Sequence, residues 1–246
     1  MSGAKDNPAK SPGQTNPGEA HARPAGHSSD AGRSDGQSGA QALVDQLVTA
    51  FREQIQRALD FELRDDTGTT ALAFVDHYLS LLRDETREPI ITLLAANAGA
   101  WFGELIRREI GGMWIGDGVD PRRLRLLLEP QFVHLSPVDL AYEAILSGPA
   151  APGDPRVPDG AVLDSAYHLR KQPDPEHTDE LSDHDWIVER LAETPPVPED
   201  QFYSLTGRFE TLELILQLLA SRERERGHEP TRYHLNDYIA ALTPKS

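Results

Sequence analysis

Cysteine is absent from this 246-residue chain. Its absence removes thiol nucleophiles, disulfides, iron–sulfur clusters and every cysteine-based zinc site, and it fits any redox compartment. Basic residues are also short: 24 Lys and Arg stand against 40 Asp and Glu, a formal net charge of −16. A surface of that sign repels phosphate backbones and anionic lipid, so neither nucleic acid nor membrane is expected as a partner. Hydrophobic residues make up only 38% of the chain, which points to segments outside any packed core. No apolar run approaches the roughly 18 residues needed to cross a bilayer. Residues 1–40 have neither the apolar stretch of a secretory signal nor the basic excess of a transit peptide. The expectation is a cytoplasmic protein.

Catalytic signatures are equally scarce. The chain contains no G-x-S-x-G elbow and no H-E-x-x-H pair, so serine hydrolase and zincin chemistry lack their usual support. Gly111-Gly112 and Gly116-x-Gly118 superficially resemble a phosphate cradle. Such a cradle follows a strand and opens a helix, however, and here the order is reversed with no Gly-Lys-Ser/Thr behind it. Cofactors are therefore not expected.

What is present starts with Pro89 to Trp114, the stretch around which the rest is organised. Pro89 suits a first helical turn, and Ala95, Gly99 and Gly103 form a small-residue line at i, i+4. Interior glycines each cost about 1 kcal/mol relative to alanine, so two of them predict close approach by another backbone. Trp101, Phe102, Leu105 and Ile106 cover much of the remaining circumference, and Gly111 supplies a left-handed stop.

Around it, residues 1–40 read as a disordered tail of Gly, Pro, Ser and Ala. Leu43, Leu47, Phe51, Ile55 and Leu59 step by four as one amphipathic helix. Thr69 or Thr70 is positioned to cap a second, carrying Leu72, Val75, Leu79 and Leu82. After Gly111 come strands at 113–115, 123–128 and 132–135, then Ser136-Pro137 opening a helix to Leu146. Residues 149–160 are a proline-rich linker, and 161–172 would suit a short helix on Val162, Ala166 and Leu169. Residues 173–200 hold ten acids against Arg190 alone, with a helix expected near Ser182–Ala192. Phe202, Leu205, Phe209, Leu212, Leu216 and Leu219 then predict a long helix, followed by a short one capped by Thr231.

The fold class is thus α+β, with helices packed on a small antiparallel three-stranded sheet. An additional helical C-terminal part and a disordered N-terminal tail complete it. The boundaries are 1–40 for the tail, 41–148 for the α+β domain, 149–200 for linker and acidic segment, and 201–246 for a helical part packing on the domain. The three–four spacing over 202–219 also allows a weak dimer seam, although Gly207 interrupts it.

Three constellations could carry chemistry. Asp76 and His77 on the second helix, with Glu104 and Trp101 on the third, could form an acid–base set; the bland alternative pairs Glu104 with Arg107 or Arg108. His177, Glu180 and His184 are the densest metal-ligand source, or two histidines in an exposed acidic run. Arg107, Arg108, Arg122, Arg123 and Arg125 could meet an acidic partner or this chain's own acidic segment.

The string Gly99-Ala100-Trp101-Phe102-Gly103-Glu104, then Arg107-Arg108 and Gly111-Gly112-x-Trp114, resembles a pattern in uncharacterised bacterial proteins. The resemblance spans about residues 70–146 and implies a bacterial α+β domain, with no activity attached. The expected function is a non-catalytic protein-interaction or regulatory module with another protein as partner. An acidic immunity protein or inhibitor of a basic toxin is its sharper form. A hydrolase-like enzyme using the His77, Asp76 and Glu104 set is the competing class.

Overall fold

The computed structural model describes residues 28–172, 180–229 and 231–242, with side chains described from 37 onward. Eight helices and one four-stranded antiparallel sheet follow one another in the order α1 (Ser28–Leu59), α2 (Leu72–Ser80), α3 (Glu88–Glu109), β1 (Gly112–Ile115), β2 (Arg125–Leu128), β3 (Val133–Leu135), α4 (Pro137–Leu146), β4 (His168–Leu169), α5 (Asp183–Ala192), α6 (Glu199–Phe202), α7 (Leu205–Glu225) and α8 (Leu235–Leu242). The α+β class holds, but the sheet has a fourth strand that the sequence reading missed.

The central helix α3 packs on α1 and on α4. Its small-residue line is where α4 arrives: a Cβ added at Gly99 would lie 2.5 Å from Val138 Cα and 2.7 Å from the Pro137 carbonyl. At Gly103 the obstruction is the Trp114 ring. The glycines therefore set the distance between α3 and its neighbours, which is what the spacing predicted. By length and composition α3 could cross a membrane, so the reading that no run is long enough needs correction; most of that window is buried inside this chain. Gly111 ends the helix at φ +102°, its N–H bonded to the Arg107 carbonyl at 3.1 Å.

The sheet order is β1-β2-β3-β4, all antiparallel. Period-two alternation puts Trp114, Leu126 and Leu135 in register on the face toward the helices. The opposite face carries the cross-strand row Met113, Leu127, His134 and His168. There α8 supplies a second small core: buried Tyr238 stacks on Phe132 at 4.4 Å, beside Leu127. The Tyr238 hydroxyl lies 2.7 Å from the Leu128 carbonyl and accepts the Val133 N–H at 3.0 Å.

Several local expectations are corrected. Residues 161–172 do not form a helix: Val162 is exposed, and His168–Leu169 pair with His134 and Val133 as β4. The edge of β3 would otherwise leave its backbone groups unpaired, and the β4 pairing satisfies them. A 3₁₀ turn at Asp65–Ala71 leads into α2, which has no side-chain cap from Thr69 or Thr70. Another 3₁₀ turn, Pro121–Arg123, takes the start of the expected second strand. The long C-terminal helix is broken, because Ser204 caps α7 by accepting the Gly207 N–H at 3.0 Å. Thr231 caps nothing in α8; Asp237 reaches back to the His234 N–H at 2.6 Å instead. Residues 1–27 of the expected tail lie outside the described residues, and α1 begins within the rest of it, at Ser28.

One hydrophobic cluster joins the elements, running from Ala40 in α1 through α3, the sheet and α4 to Ile187 in α5 and Leu219 in α7. The apolar seam of α7 (Leu205, Phe209, Leu212, Ile215 and Leu219) is buried in that cluster. Buried Arg208 joins α7 to α4 through Glu143, each about 5–6% exposed.

Candidate functional site

The residues expected to form an acid–base set are each engaged elsewhere. Asp76 accepts the N–H of Leu205 at 2.8 Å and of Thr206 at 3.1 Å, and the Thr206 hydroxyl at 2.5 Å. It is thereby the anion at the N-terminus of α7, satisfying amides the helix cannot. Glu104 instead faces β1: it accepts two bonds from Arg107, at 2.8 and 2.9 Å, and one from the Trp114 ring N–H at 3.2 Å. Burial alone would raise its carboxyl, but those donors outweigh it and hold the group below its ordinary range. Trp101 is core, packed on Phe51 at 5.8 Å, and His77 is exposed. The structure thus ties Asp76 to α7 and Glu104 to β1.

The five arginines have different local surroundings. Arg107 holds Glu104, Arg108 shares Asp65 with Arg52, and Arg123 pairs with Asp117 and Asp120. The 3₁₀ turn carrying Arg122 packs on α4, while Arg125 donates to the carbonyls of Arg122 and Leu124 and to Ser136. The acidic segment does fold back on arginines of its own chain, but on a pair not anticipated. Arg222, only 5% exposed in its side chain, meets Glu180 and Asp183 and the Leu181 and Ser182 carbonyls. Arg226 joins the same two acids. Trp186 closes over Arg222 at 5.0 Å.

Of the expected metal ligands, His177 lies outside the described residues. Glu180 precedes α5 rather than lying on it, so it shares no helical face with His184, and its carboxylate meets Arg226. The ring of His184 bonds Asp185 at 3.1 Å. Among the described residues no three metal-ligating side chains gather.

A polar constellation that sequence reasoning missed lies on the outer face of the sheet. His134 and His168, opposite each other on β3 and β4, stack with ring centroids 4.7 Å apart. Asp164 Oδ1 lies 2.7 Å from His168 Nε2, and the Asp164 backbone N–H donates to buried Asp139 at 3.0 Å. Burial raises the Asp139 carboxyl, opposed by the Asp164 N–H, Ser136 and two arginines. His134 is pushed down to about 4, first by burial and then by His168 and Arg125, with Asp164 opposing. The only local hint is that His134 takes an alternating, outward position in its strand; nothing in the sequence links it to His168.

That depression has a signed consequence. The unfolded chain protonates this imidazole near its ordinary value of 6.5, the folded one only near 4. The unfolded state therefore holds more protons between those limits, and stability falls as pH drops through that window. Taking the chain from pH 7 to pH 5 should cost about 2 kcal/mol through this residue. Urea unfolding at both pH values should show the loss in the wild type and a much smaller one in His134→Gln. Equal losses in the two proteins would refute it.

Two of the concavities among the described residues lie away from these groups. An open cleft of about 910 Å³ lies beside the end of α1, and a groove of about 410 Å³ lies between α7, the β2–β3 turn and residues 228–233. Neither is lined by His77, Asp76 or Glu104. Fold and site together define an α+β protein whose sheet, among the described residues, is covered by helices on one face and by the short helix α8 on the other. Comparison with family models, with curated proteins and with solved structures finds no match in any of the three.

Proposed function

We propose that the chain is a non-catalytic protein-interaction module that binds a basic, partly apolar protein surface through residues 181–202. One observation carries this reading. Leu181, Val188, Val197 and Phe202 stand between 36% and 56% exposed, interleaved with Asp185, Glu189, Glu193, Glu199 and Asp200. Isolated exposed apolar residues are ordinary, but four within 22 residues beside acids form a mixed surface of the kind proteins bury on association. Arg190, the one base there among the described residues, pairs with Glu193. The same side chains would suit an acidic inhibitor or immunity protein, where charge complementarity speeds encounter with a basic target.

Two features support it against the hydrolase-like reading. Asp76 and Glu104 are engaged by helix capping and by an ion pair, and neither concavity includes them. The buried seam of α7 favours a monomer over a dimer formed through that helix. A cytoplasmic location is part of the proposal, resting on composition. The test compares wild type with a Val188→Asp, Glu189→Lys, Glu193→Lys variant as bait in lysate of the source cell. A basic protein retained by the wild type, released by 0.5 M salt and lost with the variant is the expected result. Identical retention by both baits would discard the surface.

A further inference from the structure

We propose that His134 and His168, juxtaposed across β3 and β4, bind an imidazole-seeking divalent metal ion such as zinc, with Asp164 as the outer carboxylate that orients His168. The site lies apart from residues 181–202 and does not depend on the interaction reading.

The backbone makes the pair. His134 and His168 are direct register partners, so antiparallel pleating brings both side chains out on the same face with their Cβ atoms about 5 Å apart. Two imidazole nitrogens at about 2.0–2.1 Å from a zinc ion fall within the reach of such neighbours. The rings now lie face to face at 13°, so closing on one ion requires the His134 ring to turn about its Cβ–Cγ bond while His168 keeps its contact with Asp164.

The nitrogens needed are available. Asp164 engages only Nε2 of His168, which leaves its Nδ1 for an ion. A ligating histidine whose second nitrogen meets a carboxylate is the usual outer-shell arrangement at metal sites. Neither ring nitrogen of His134 has a hydrogen-bond partner among the described residues. His168 is 28% exposed in its side chain, which provides the entry path.

The nearby cations are held by other groups. Arg125 donates to the backbone carbonyls of Arg122 and Leu124, at 2.8 and 2.9 Å, and comes no closer than 4.0 Å to Asp164. Arg170 lies over the Phe132 and Tyr233 rings at 5.3 and 5.8 Å. The Asp164 carboxylate adds negative charge beside His168. With no third protein ligand gathered there, water would complete the coordination. The predicted site is thus exchangeable rather than structural.

The experiment is titration of the full chain with zinc ion, followed by calorimetry and by imidazole NMR resonances. One saturable ion per chain is expected, with the His134 and His168 resonances moving together. His168→Gln should weaken binding at least tenfold, and Asp164→Asn should weaken it by about 10- to 100-fold. His177→Gln and His184→Gln should change nothing. His168 lies on an edge strand, so its variant keeps the test valid even if His134→Gln disturbs the packing against Phe132 and Tyr238. Unchanged affinity in His168→Gln, loss in His177→Gln, or no saturable binding would each overturn the assignment.

Discussion

Replacing Arg208 by alanine is expected to lower the unfolding free energy by about 3–5 kcal/mol. Arg208 is 5% exposed and forms its ion pair with Glu143, itself 6% exposed, so the two charges are compensated by one another. The guanidinium also lies over Phe202 at 4.5 Å and Tyr203 at 5.0 Å, and the Arg208 carbonyl accepts the Tyr167 hydroxyl at 2.5 Å. Alanine would leave the Glu143 carboxylate in a low-dielectric interior with no partner, which is the costly half of breaking a buried pair. The double variant Glu143→Leu, Arg208→Met removes both charges and keeps the volume, so it should recover most of the loss. Urea midpoints of the wild type and three variants decide the matter. A single variant as stable as the wild type, or a double variant no better than the single, would contradict the account.

Gly99→Ala is expected to cost at least about 3 kcal/mol, the upper end for overpacking, because the obstruction is backbone. The added methyl would sit 2.5 Å from Val138 Cα and 2.7 Å from the Val138 nitrogen, so α3 and α4 must separate along their contact. On helix propensity alone the change should stabilise by about 1 kcal/mol, so the sign of the measured effect separates the two influences. Gly103→Ala should destabilise as well, since the added methyl would meet the buried Trp114 ring and the Pro137 ring. For a chain of this size the Gly99 variant should melt roughly 6–12 °C lower. A higher melting temperature would show that α3 and α4 are not held at the distance described.

These two predictions sit on different sides of what a sequence reveals. The close approach at Gly99 was legible, because small residues at i, i+4 in an apolar helix have few other uses. Its partner was not, since α4 is forty residues away. The Glu104–Arg107 pair was legible for the same reason as any i, i+3 contact: the helix period brings the two together whatever the rest of the chain does. Arg208 gave no signal at all. An arginine on a helix face looks solvated until the fold buries it against Glu143.

The candidate sites divide in the same way. Asp76 beside His77 looked like an acid–base pair because adjacency in sequence was all there was to read. Its carboxylate serves the amides of Leu205 and Thr206, about 130 residues on. The acidic segment was offered Arg107, Arg108, Arg122, Arg123 and Arg125 as one alternative, and it meets Arg222 and Arg226 instead, because charge alone could not choose among arginines. Arg222 and Arg226 are selected because α5 packs on α7, with Trp186 over Arg222.

By itself the sequence determined the local features: α3, α4 and α5, the existence of α1 and α2 though not where they start, the first three strands, the Gly111 stop and the excess of acid. Each depends on period, propensity or capping within about one or two turns of chain, energies that a linear string carries in full. Tertiary structure alone decided the fourth strand, the break before α7 at Ser204, the buried Glu143–Arg208 pair and the stacked His134 and His168. These depend on backbone groups and charges left unsatisfied at one place and met by residues far along the chain. Which distant residue meets them is fixed only when the core has closed.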